Sequence, residues 1–381
     1  MATSLFQNRF KVWLEIDSAA IKHNIDFFRS QLALRPGSGL PPKLWAVVKS
    51  NAYGHGLDTF TRLADHYGVD GFCVDSVIEG RALRNLGIKK PILILGPTLS
   101  PDFHELAKYW DISETISNFE ALRDPAFLKF RPPFHLKIET GMHRQGFNLD
   151  DLQQVIKEIQ DSRFKIYESL RGVYSHFAAA NPEHRDFTEQ QFKKFQEAVS
   201  IIKSQLSNVA LTAHISATGG TLLDKKYHLD AVRIGLGLYG YSPFVLNPMP
   251  TGRQAKPYTL TPVLKWCSII SEIKNVPSGE SIGYDLTEKL TRPTKVAIMP
   301  IGYWHGLPRA LSSVGYVDVN GQMSKVLGRI CMDITMVDVT DIPCQTGDLI
   351  KIEPLAVAQK TDSSIYEIIT RINPLIHRRV I

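Results

Sequence analysis

Several features are scarce or missing in this 381-residue sequence, and each absence excludes a class of protein. The four cysteines lie far apart without a C-x-x-C pair, so we predict neither a zinc site nor a disulfide framework. No apolar run approaches the roughly 18 residues of a membrane span, and the first nine residues show no secretory signal. The densest basic cluster is only His377-Arg378-Arg379, which is too small for a nucleic-acid surface. We therefore expect a cytoplasmic protein that binds neither membrane nor nucleic acid.

The composition is that of a folded globular protein. Hydrophobic residues make up 44% and charged residues 22% of the chain, which excludes disorder and a collagen-like repeat. The formal net charge of +6 permits an anionic ligand without identifying one. A chain of this length fits two domains, or one barrel with an attachment.

Short apolar runs alternate with helical patterns over the first 240 residues. Several of the runs are continuously apolar, as strands buried on both faces of a parallel sheet are. Helical periodicity follows at residues 57–67, 76–86, 149–160 and 189–206, with Gly68 and Gly87 as C-caps. The predicted strands are residues 44–49, 71–74, 91–95, 111–116, 134–139, 170–177, 209–216 and 231–236.

These eight strand–helix units favour an α/β fold with an N-terminal (β/α)8 TIM barrel, which typically needs about 250 residues. A doubly wound sheet is the competing interpretation. Residues 242–262 contain five prolines and are predicted to connect two domains. Beyond them, alternating segments predict a mostly antiparallel β-domain. We assign residues 12–242 to the barrel and 243–381 to the β-domain, and a strand within residues 1–16 could pair with the latter.

Candidate functional residues lie where the predicted barrel strands end. Lys49 ends the first strand and is a candidate for a Schiff base with a carbonyl compound, although its amine could instead reach solvent at the barrel rim. Arg144 lies in a glycine-flanked loop and could hold a carboxylate, or it could be a surface arginine. His176 ends the sixth strand and could act in acid–base chemistry or serve only the structure.

Two glycine-rich loops follow the seventh and eighth predicted strands. The first begins at Thr218, and the second contains Gly235 and Leu236 after Arg233. Barrels commonly bind phosphate in these two loops, although turn glycines alone are the alternative. A phosphate site together with a reactive Lys49 points to pyridoxal phosphate.

Nine segments resemble, in order along the chain, the motifs of the alanine racemase family. The first, Ala-Val-Val-Lys-Ser-Asn-Ala-Tyr-Gly-His-Gly from residue 46, resembles the signature around the cofactor lysine, with Ser50 where alanine is usual. The others lie at residues 137–144, 175–177, 217–220, 232–240, 281–284, 300–303, 328–333 and 366–367. The resemblance therefore covers nearly the whole chain.

The resemblance implies a pyridoxal-phosphate enzyme that interconverts L- and D-alanine and supplies D-alanine for peptidoglycan. It implies two bases, Lys49 on one face of the substrate Cα and Tyr284 of the partner subunit on the other, and hence a homodimer with shared sites. The residues that it implies for cofactor binding are Lys49, Tyr53, Arg144, His176, Thr218, Arg233, Gly235, Leu236 and Tyr366.

The same resemblance implies how the substrate is held. Arg144 and the backbone N–H of Met332 would bind its carboxylate, and Tyr303 would line its entrance. Lys137 matches a lysine that can be carbamylated, which would convert a cation into an anion that orients Arg144. No metal is expected.

The sequence also departs from the family pattern near the implied entrance. Trp304 and His305 stand where alanine and aspartate are frequent, and Asp285 stands where glycine is usual. Three alternatives therefore remain: a racemase of another amino acid such as serine, a decarboxylase of basic amino acids that joins a similar barrel to a β-domain, and a PLP-binding barrel without enzymatic activity.

Overall fold

The structure is a computed structural model that describes residues 10–35, 39–161, 163, 165–244 and 260–381. The chain forms two compact units, which we call the β-unit (Met1–Ser18, Tyr53–Thr59 and Pro262–Ile381) and the barrel unit (Ala19–Ala52 and Phe60–Thr261). The boundaries assigned from sequence at residues 12, 242 and 243 remain predictions. The predicted signal-free start and most of the proline-rich connection lie outside the described residues.

Strand β1, Val12–Ile16, precedes eight strands that match the eight predicted ones. These eight are short, and nearly all of their residues are buried, as the continuous apolar runs predict. They are β2 (Lys43–Val47), β3 (Gly71–Val74), β4 (Ile92–Ile94), β5 (Glu114–Ile116), β6 (Phe134–Lys137), β7 (Leu170–Tyr174), β8 (Thr212–His214) and β9 (Ala231–Ile234).

The eight strands are parallel and close into a barrel. Their ladders give the orders β4-β3-β2-β9 and β5-β6-β7-β8. The N–H of Ile94 donates to the carbonyl of Ser113 at 2.8 Å, which joins the first group to the second on one side. The N–H of Arg233 donates to the carbonyl of Ser216 at 2.9 Å and joins them on the other. The predicted (β/α)8 barrel is thereby confirmed, and the doubly wound sheet is excluded.

The helices begin and end at the signals that the sequence contains. Ser76 accepts from the N–H of Glu79 and begins one helix, while Gly68 and Gly87 follow two helices with φ of +84° and +88°. The α-helices are Ser18–Gln31, Leu57–His66, Val77–Asn85, Pro101–Tyr109, Phe119–Leu122, Pro125–Phe130, Leu152–Gln160, Arg185–Gln205, Thr218–Leu223, Pro354–Lys360 and Ile365–Thr370. None of the helices in the described part of the chain has the length and apolar character of a membrane span.

The β-unit contains a nine-stranded sheet in the order β11-β14-β17-β16-β15-β18-β10-β1-β19, and a two-stranded β12–β13 ladder. All of these pairs are antiparallel except β1 with β19, so the prediction of a mostly antiparallel domain is confirmed. The strands that follow the barrel are β10 (Leu264–Ile269), β11 (Glu272–Val276), β12 (Ser281–Ile282), β13 (Glu288–Lys289), β14 (Thr294–Met299), β15 (Tyr316–Val319), β16 (Gln322–Leu327), β17 (Thr335–Asp338), β18 (Leu349–Ile352) and β19 (His377–Val380).

Candidate active site

Lys49 lies two residues beyond β2, at the start of a left-handed turn. Residues 50–53 all have φ between 50° and 56°, although none of them is glycine. One carboxylate holds the turn: Glu79 accepts from the N–H of Ser50 at 2.7 Å and from that of Asp75 at 2.8 Å. The Lys49 amine donates to Asp75 at 3.3 Å. Left-handed backbone costs L-residues about 1–2 kcal/mol each, so this turn stores strain at the lysine that the sequence singled out.

A second carboxylate shapes the loop that carries Arg144. Glu139 accepts from the backbone N–H groups of Gly141, of Met142 at 2.7 Å and of Arg144 at 3.4 Å. Burial raises the pKa of Glu139, but these N–H donors outweigh burial and hold the pKa below its usual value. Glu139 is therefore charged at neutral pH and fixes the loop from which the guanidinium extends.

Lys137 is the last residue of β6, and its side chain is buried. Its amine donates to the Oε1 atom of Gln145 at 2.9 Å. Burial, together with the charges of Arg144 and Arg233, lowers the pKa of Lys137 to about 8. A substantial fraction of this amine is neutral at slightly alkaline pH, unlike an ordinary surface lysine.

Arg233, on β9, is buried and has neutral hydrogen-bond partners. Its guanidinium donates to the carbonyls of Ser175 at 2.8 Å and Ile215 at 3.0 Å, to Nδ1 of His176 at 3.1 Å, and to Nδ1 of His214. No carboxylate of the described residues pairs with it. Since a buried charge is costly without a counter-charge, this end of the barrel is equipped to bind an anion.

The electrostatic field around His176 keeps its imidazole neutral. Burial and the charges of Arg233, Arg144, Lys137 and Lys49 lower the pKa of His176 well below its usual value. Its Nδ1 accepts from Arg233, which can only donate, so the proton of the neutral ring is on Nε2. Strand β7 ends at Tyr174, two residues earlier than His176, so the sequence placed this strand end slightly too late.

The two glycine-rich loops are joined to each other. The hydroxyl of Thr218 accepts from the N–H of Gly237 at 3.2 Å. A Cβ atom on Gly237 would lie 2.3 Å from the Phe28 ring, so only glycine fits here. Gly235 and Leu236 begin the second loop directly after β9. Lys49, Lys137, Arg144, His176, Thr218, Arg233, Gly235 and Leu236 thus all follow or end barrel strands within the barrel unit.

The β-unit contains the other residues that the sequence singled out. The rings of Tyr53 and Tyr366 lie 5.7 Å apart, between centroids. The guanidinium of Arg378 donates twice to the carbonyl of Gly54, at 2.8 Å and 3.1 Å, and fixes the turn next to Tyr53. A Cβ atom on Gly54, where φ is +82°, would lie 1.9 Å from the carbonyl oxygen of Ile369.

Tyr284, Met332 and Tyr303 lie on exposed turns of the β-unit. The side chain of Tyr284 is 66% exposed and that of Met332 is 53% exposed. The N–H of Tyr303 donates to the carbonyl of Cys331 at 3.1 Å, and the N–H of Trp304 to that of Met332 at 3.0 Å. Tyr284 and Met332 border an apolar groove of about 570 Å³, which is also lined by Val276, Ile282, Val296, Ile298, Ile334 and Met336.

The departures from the family pattern have local structural roles. His305 is buried, and its Nδ1 accepts from the N–H of Gly302 at 3.2 Å, so it caps its turn as a carboxylate could. Asp285 has φ of 60° and is ion-paired with Arg329 at 3.0 Å. Both residues therefore stabilise the turns in which they lie.

Three residues of the barrel unit that shape the site were not identified from the sequence. Glu79 follows Ser76 at the spacing of a capping box, a signal that identifies the helix start but not the bond to Ser50. Glu139 gives no signal beyond its place after β6. His214 lies within a predicted strand, where its contact with Arg233 depends on the closure of the barrel.

The fold and the site together define a barrel protein with a separate β-domain, in which the carboxyl ends of the barrel strands are equipped to bind an anion. The description "Alanine racemase, N-terminal domain" matches residues 16–243, and "Alanine racemase, C-terminal domain" matches residues 263–380. The chain belongs to the alanine racemase family.

Relatives and solved structures agree with this assignment. An alanine racemase of Leptospira interrogans is 36% identical over all of this chain and 98% of its own length. One from Listeria monocytogenes is 33% identical, with 97% of each chain covered. The crystal structure of alanine racemase from D-cycloserine-producing Streptomyces lavendulae superposes with a TM-score of 0.86 at 27% identity, with 97% of each chain covered. Alanine racemase from Bacillus anthracis with bound L-Ala-P gives a TM-score of 0.84 at 28% identity, over 97% of this chain and 95% of that one.

Proposed function

We propose that this protein is an alanine racemase that interconverts L- and D-alanine with pyridoxal phosphate as its cofactor. One observation carries the proposal: the buried guanidinium of Arg233 has neutral partners, and its partner His176 lies in the field of Arg233 and three further cations, Lys49, Lys137 and Arg144. In a member of this family, such a site suits an anionic cofactor and the carboxylate of an amino acid.

The residues present fit pyridoxal phosphate. Lys49 has the primary amine that bonds to its carbonyl carbon, and Arg233 has N–H groups for its ring nitrogen. Its phosphate would be held by Thr218, by the backbone of Gly235 and Leu236, and by Tyr53 and Tyr366. Bound pyridoxal phosphate supplies an electron-withdrawing ring that makes the α-proton of an amino acid acidic. Arg233 cannot accept a proton from the ring nitrogen, so it keeps this withdrawal modest.

Two bases then act on opposite faces of the substrate Cα. Once the amino group of the substrate has replaced Lys49 on the cofactor, the freed amine of Lys49 would take or return the α-proton on one face, and the phenol of Tyr284 of the partner subunit would do so on the other. A phenol that has given up its proton is negatively charged, so the oxygen of Tyr284 would then need a hydrogen-bond donor. Neutral His176 can provide it, since its Nε2 carries a proton and its Nδ1 is held by Arg233.

Arg144 and Met332 hold the substrate carboxylate in this proposal. Among the described residues, no group accepts from the N–H of Met332, which supports its role as a donor. Arg144 offers a planar pair of N–H groups, and Glu139 fixes the loop that carries it. Tyr303 would limit the size of the side chain that enters.

Carbamylation of Lys137 is part of the proposal. A neutral amine adds to carbon dioxide whereas an ammonium group does not, and a pKa of about 8 leaves enough neutral amine for this reaction. The new N–C bond forms with release of one proton to solvent, and the resulting anion would pair with Arg144 and remove the repulsion between the two cations.

A homodimer follows from the two-base proposal, because the second base comes from another copy. The apolar groove beside Tyr284 and Met332 supports it, since groups of exposed apolar side chains mark interaction surfaces. We also propose a cytoplasmic location and a role in supplying D-alanine for peptidoglycan, both of which follow from the family.

Incubation with single amino acids in D2O tests the proposed function. Both alanine enantiomers should lose their α-proton to solvent and reach an equal mixture, without release of carbon dioxide. Absence of exchange with either enantiomer would contradict the proposal. Faster exchange with serine would identify a racemase of another amino acid, and carbon dioxide from lysine, ornithine or arginine would identify a decarboxylase. If the protein bound pyridoxal phosphate but catalysed neither racemisation nor decarboxylation, it would be a cofactor-binding barrel without enzymatic activity.

A further inference from the structure

The interior of the barrel contains polar and aromatic side chains where aliphatic ones are usual. Branched aliphatic residues normally fill such barrels in layers. Here the space behind Arg233 is filled by two imidazoles, those of His214 and His135, together with the rings of Trp45 and Tyr174. His135 and His214 are buried, and the proposed mechanism uses neither of them.

The two histidines form a chain of hydrogen bonds that begins at Arg233. Nη1 of Arg233 donates to Nδ1 of His214, and Nε2 of His214 lies 3.0 Å from Nδ1 of His135. Arginine has no acceptor, so Nδ1 of His214 must accept, and the proton of the neutral ring is on Nε2. That proton points at His135, whose Nδ1 must therefore accept as well. The direction of both bonds is fixed.

Both imidazoles are neutral because they are buried beside a cation. Burial and the charge of Arg233 lower the pKa of His135 to about 3 and the pKa of His214 well below its usual value. The chain of bonds therefore has the same direction throughout the physiological pH range.

The barrel provides a socket for His135. It pairs with Gly172 of β7, and a Cβ atom on Gly172 would lie 2.5 Å from two atoms of the His135 ring. The same Cβ atom would lie 2.5 Å from the carbonyl oxygen of Thr212 on β8, so a larger residue at position 172 would displace the imidazole, the neighbouring strand or both. The ring of His214 is stacked on Tyr174, with centroids 5.0 Å apart and an interplanar angle of 9°, and the edge of Trp45 lies against it.

We propose that His135 is a positioning residue for the cofactor: by accepting from His214, it fixes the imidazole that holds the Arg233 guanidinium against the cofactor's ring nitrogen. The inference rests on the proposed function. Without His135, the ring of His214 can rotate by half a turn and present a C–H group to Arg233. The guanidinium would then lose one of the partners that set its plane.

Two substitutions at position 135 distinguish the effect of losing the hydrogen-bond acceptor from the effect of a smaller side chain. His135→Leu removes the acceptor, whereas the Oδ1 of His135→Asn can accept close to where Nδ1 does. Gly172→Ala keeps the imidazole at position 135 but crowds both its ring and the Thr212 carbonyl, so its effect on cofactor binding is compared with its effect on stability. His228→Leu is the matched control, since His228 is also buried and bonded, to the carbonyl of Thr221 at 3.0 Å.

The dissociation constant of pyridoxal phosphate, measured by fluorescence titration, is the first readout. We expect His135→Leu and Gly172→Ala to weaken binding by about tenfold, and His135→Asn and His228→Leu to stay within about twofold of the unsubstituted protein. Chemical denaturation gives the stability of each variant. If His135→Leu loses only stability, as His228→Leu does, the positioning role is wrong.

Nitrogen NMR of the ¹⁵N-histidine-labelled protein without cofactor is the second readout, and it needs no variant that might fail to fold. We expect His135 and His214 to carry their protons on Nε2 between pH 6 and 9, with a coupling across the bond between the two rings. A proton on Nδ1 of either ring would overturn the proposal. A protein with the expected spectrum but without racemisation would instead contradict the proposed function and leave the hydrogen-bond chain intact.

Discussion

Individual buried charges of the barrel unit are of two kinds. Lys137 and Arg233 have neutral hydrogen-bond partners and lie among the candidate site residues. His104 and Glu114, by contrast, are buried together, with His104 Nδ1 2.8 Å from the Glu114 carboxylate. An unpaired buried charge costs stability, whereas a pair largely compensates itself. The uncompensated charges therefore coincide with the site, and the compensated pair lies elsewhere in the barrel unit.

Replacing Lys137 by methionine should stabilise the protein at pH 7. The folded state holds the pKa of Lys137 at about 8, against about 10.4 in an unfolded chain. The ammonium form is thus disfavoured on folding below pH 8, and this penalty fades as the pH rises toward 10.4. In buffer freed of carbon dioxide, where residue 137 carries its free amine, we expect Lys137→Met to raise the free energy of unfolding by about 1–3 kcal/mol at pH 7, and by less at pH 9.5. Urea unfolding at both pH values checks this, and a gain that does not change with pH would contradict it.

Replacing one partner of the His104–Glu114 pair should lower the free energy of unfolding far more than replacing both. Burial raises the pKa of Glu114, while its bond to His104 opposes that rise. We expect His104→Leu to cost about 3–5 kcal/mol at pH 7, because it leaves a buried carboxylate without its partner. The cost should shrink as the pH falls, since burial raises the pKa of Glu114 and a protonated Glu114 is neutral.

A double-mutant cycle with Glu114→Leu provides the control for this prediction. The double variant should be more stable than His104→Leu alone, since two leucines leave no buried charge. If the two substitutions were simply additive in urea unfolding, the pair would not be coupled and this account of it would be wrong.

At the scale of elements, the segment after Lys49 links a strained turn to a closely packed glycine, Gly54. Residues 50–53 are left-handed, and Gly54 follows with its Cα against the backbone of the helix Ile365–Thr370. That helix carries Tyr366, whose ring lies near that of Tyr53. The position of two proposed phosphate ligands thus depends on the absence of a side chain at residue 54.

Substituting Gly54 by alanine should therefore damage cofactor binding. Gly68→Ala is a matched control, because Gly68 has the same backbone conformation, with φ of +84° against +82°, but open space around its Cα. We expect Gly68→Ala to cost about 1 kcal/mol of stability from backbone strain alone and to bind pyridoxal phosphate normally. Gly54→Ala should cost clearly more and weaken binding by about tenfold or more. Equal effects of the two variants, by unfolding and by fluorescence titration, would contradict this.

The barrel strands could be predicted because their sequence signal is local. Each buried strand is a continuous apolar run between a helix and a turn, and all eight were found with small errors at their ends. In the β-unit the sequence indicates strands only at residues 263–273, 295–300, 316–319 and 334–339, so five strands were not predicted, all of them partly exposed: β12, β13, β16, β18 and β19. Strand β19 contains the basic cluster at His377 and pairs with β1 from the other end of the chain, so its signal is not local.

The part of the candidate site that depends on residue type and position after a strand could be predicted from the sequence. The lysine, the arginines and the glycine-rich loops follow strands and stand out for that reason. The left-handed turn was not predictable, because only asparagine among its four residues tolerates this conformation and the carboxylate of Glu79 holds the turn from another segment. The chain from Arg233 to His135 likewise exists only once the barrel has closed.

At the scale of the whole molecule, the two proposed bases lie in different units of the chain. Lys49 belongs to the barrel unit and Tyr284 to the β-unit, where the tyrosine is exposed beside the apolar groove. Two bases on opposite faces of one carbon require both residues at one site. We propose that the barrel unit of one subunit and the β-unit of the other supply them.

A heterodimer of two inactive variants tests this claim most directly. Lys49→Ala and Tyr284→Phe subunits, co-expressed with different tags and purified as the mixed dimer, would form one site with both bases and one site with neither. The account predicts that each homodimer racemises alanine negligibly and that the heterodimer recovers about half of the activity of the unsubstituted enzyme. A heterodimer no more active than the two homodimers would mean that both bases come from the same chain, and would contradict the account.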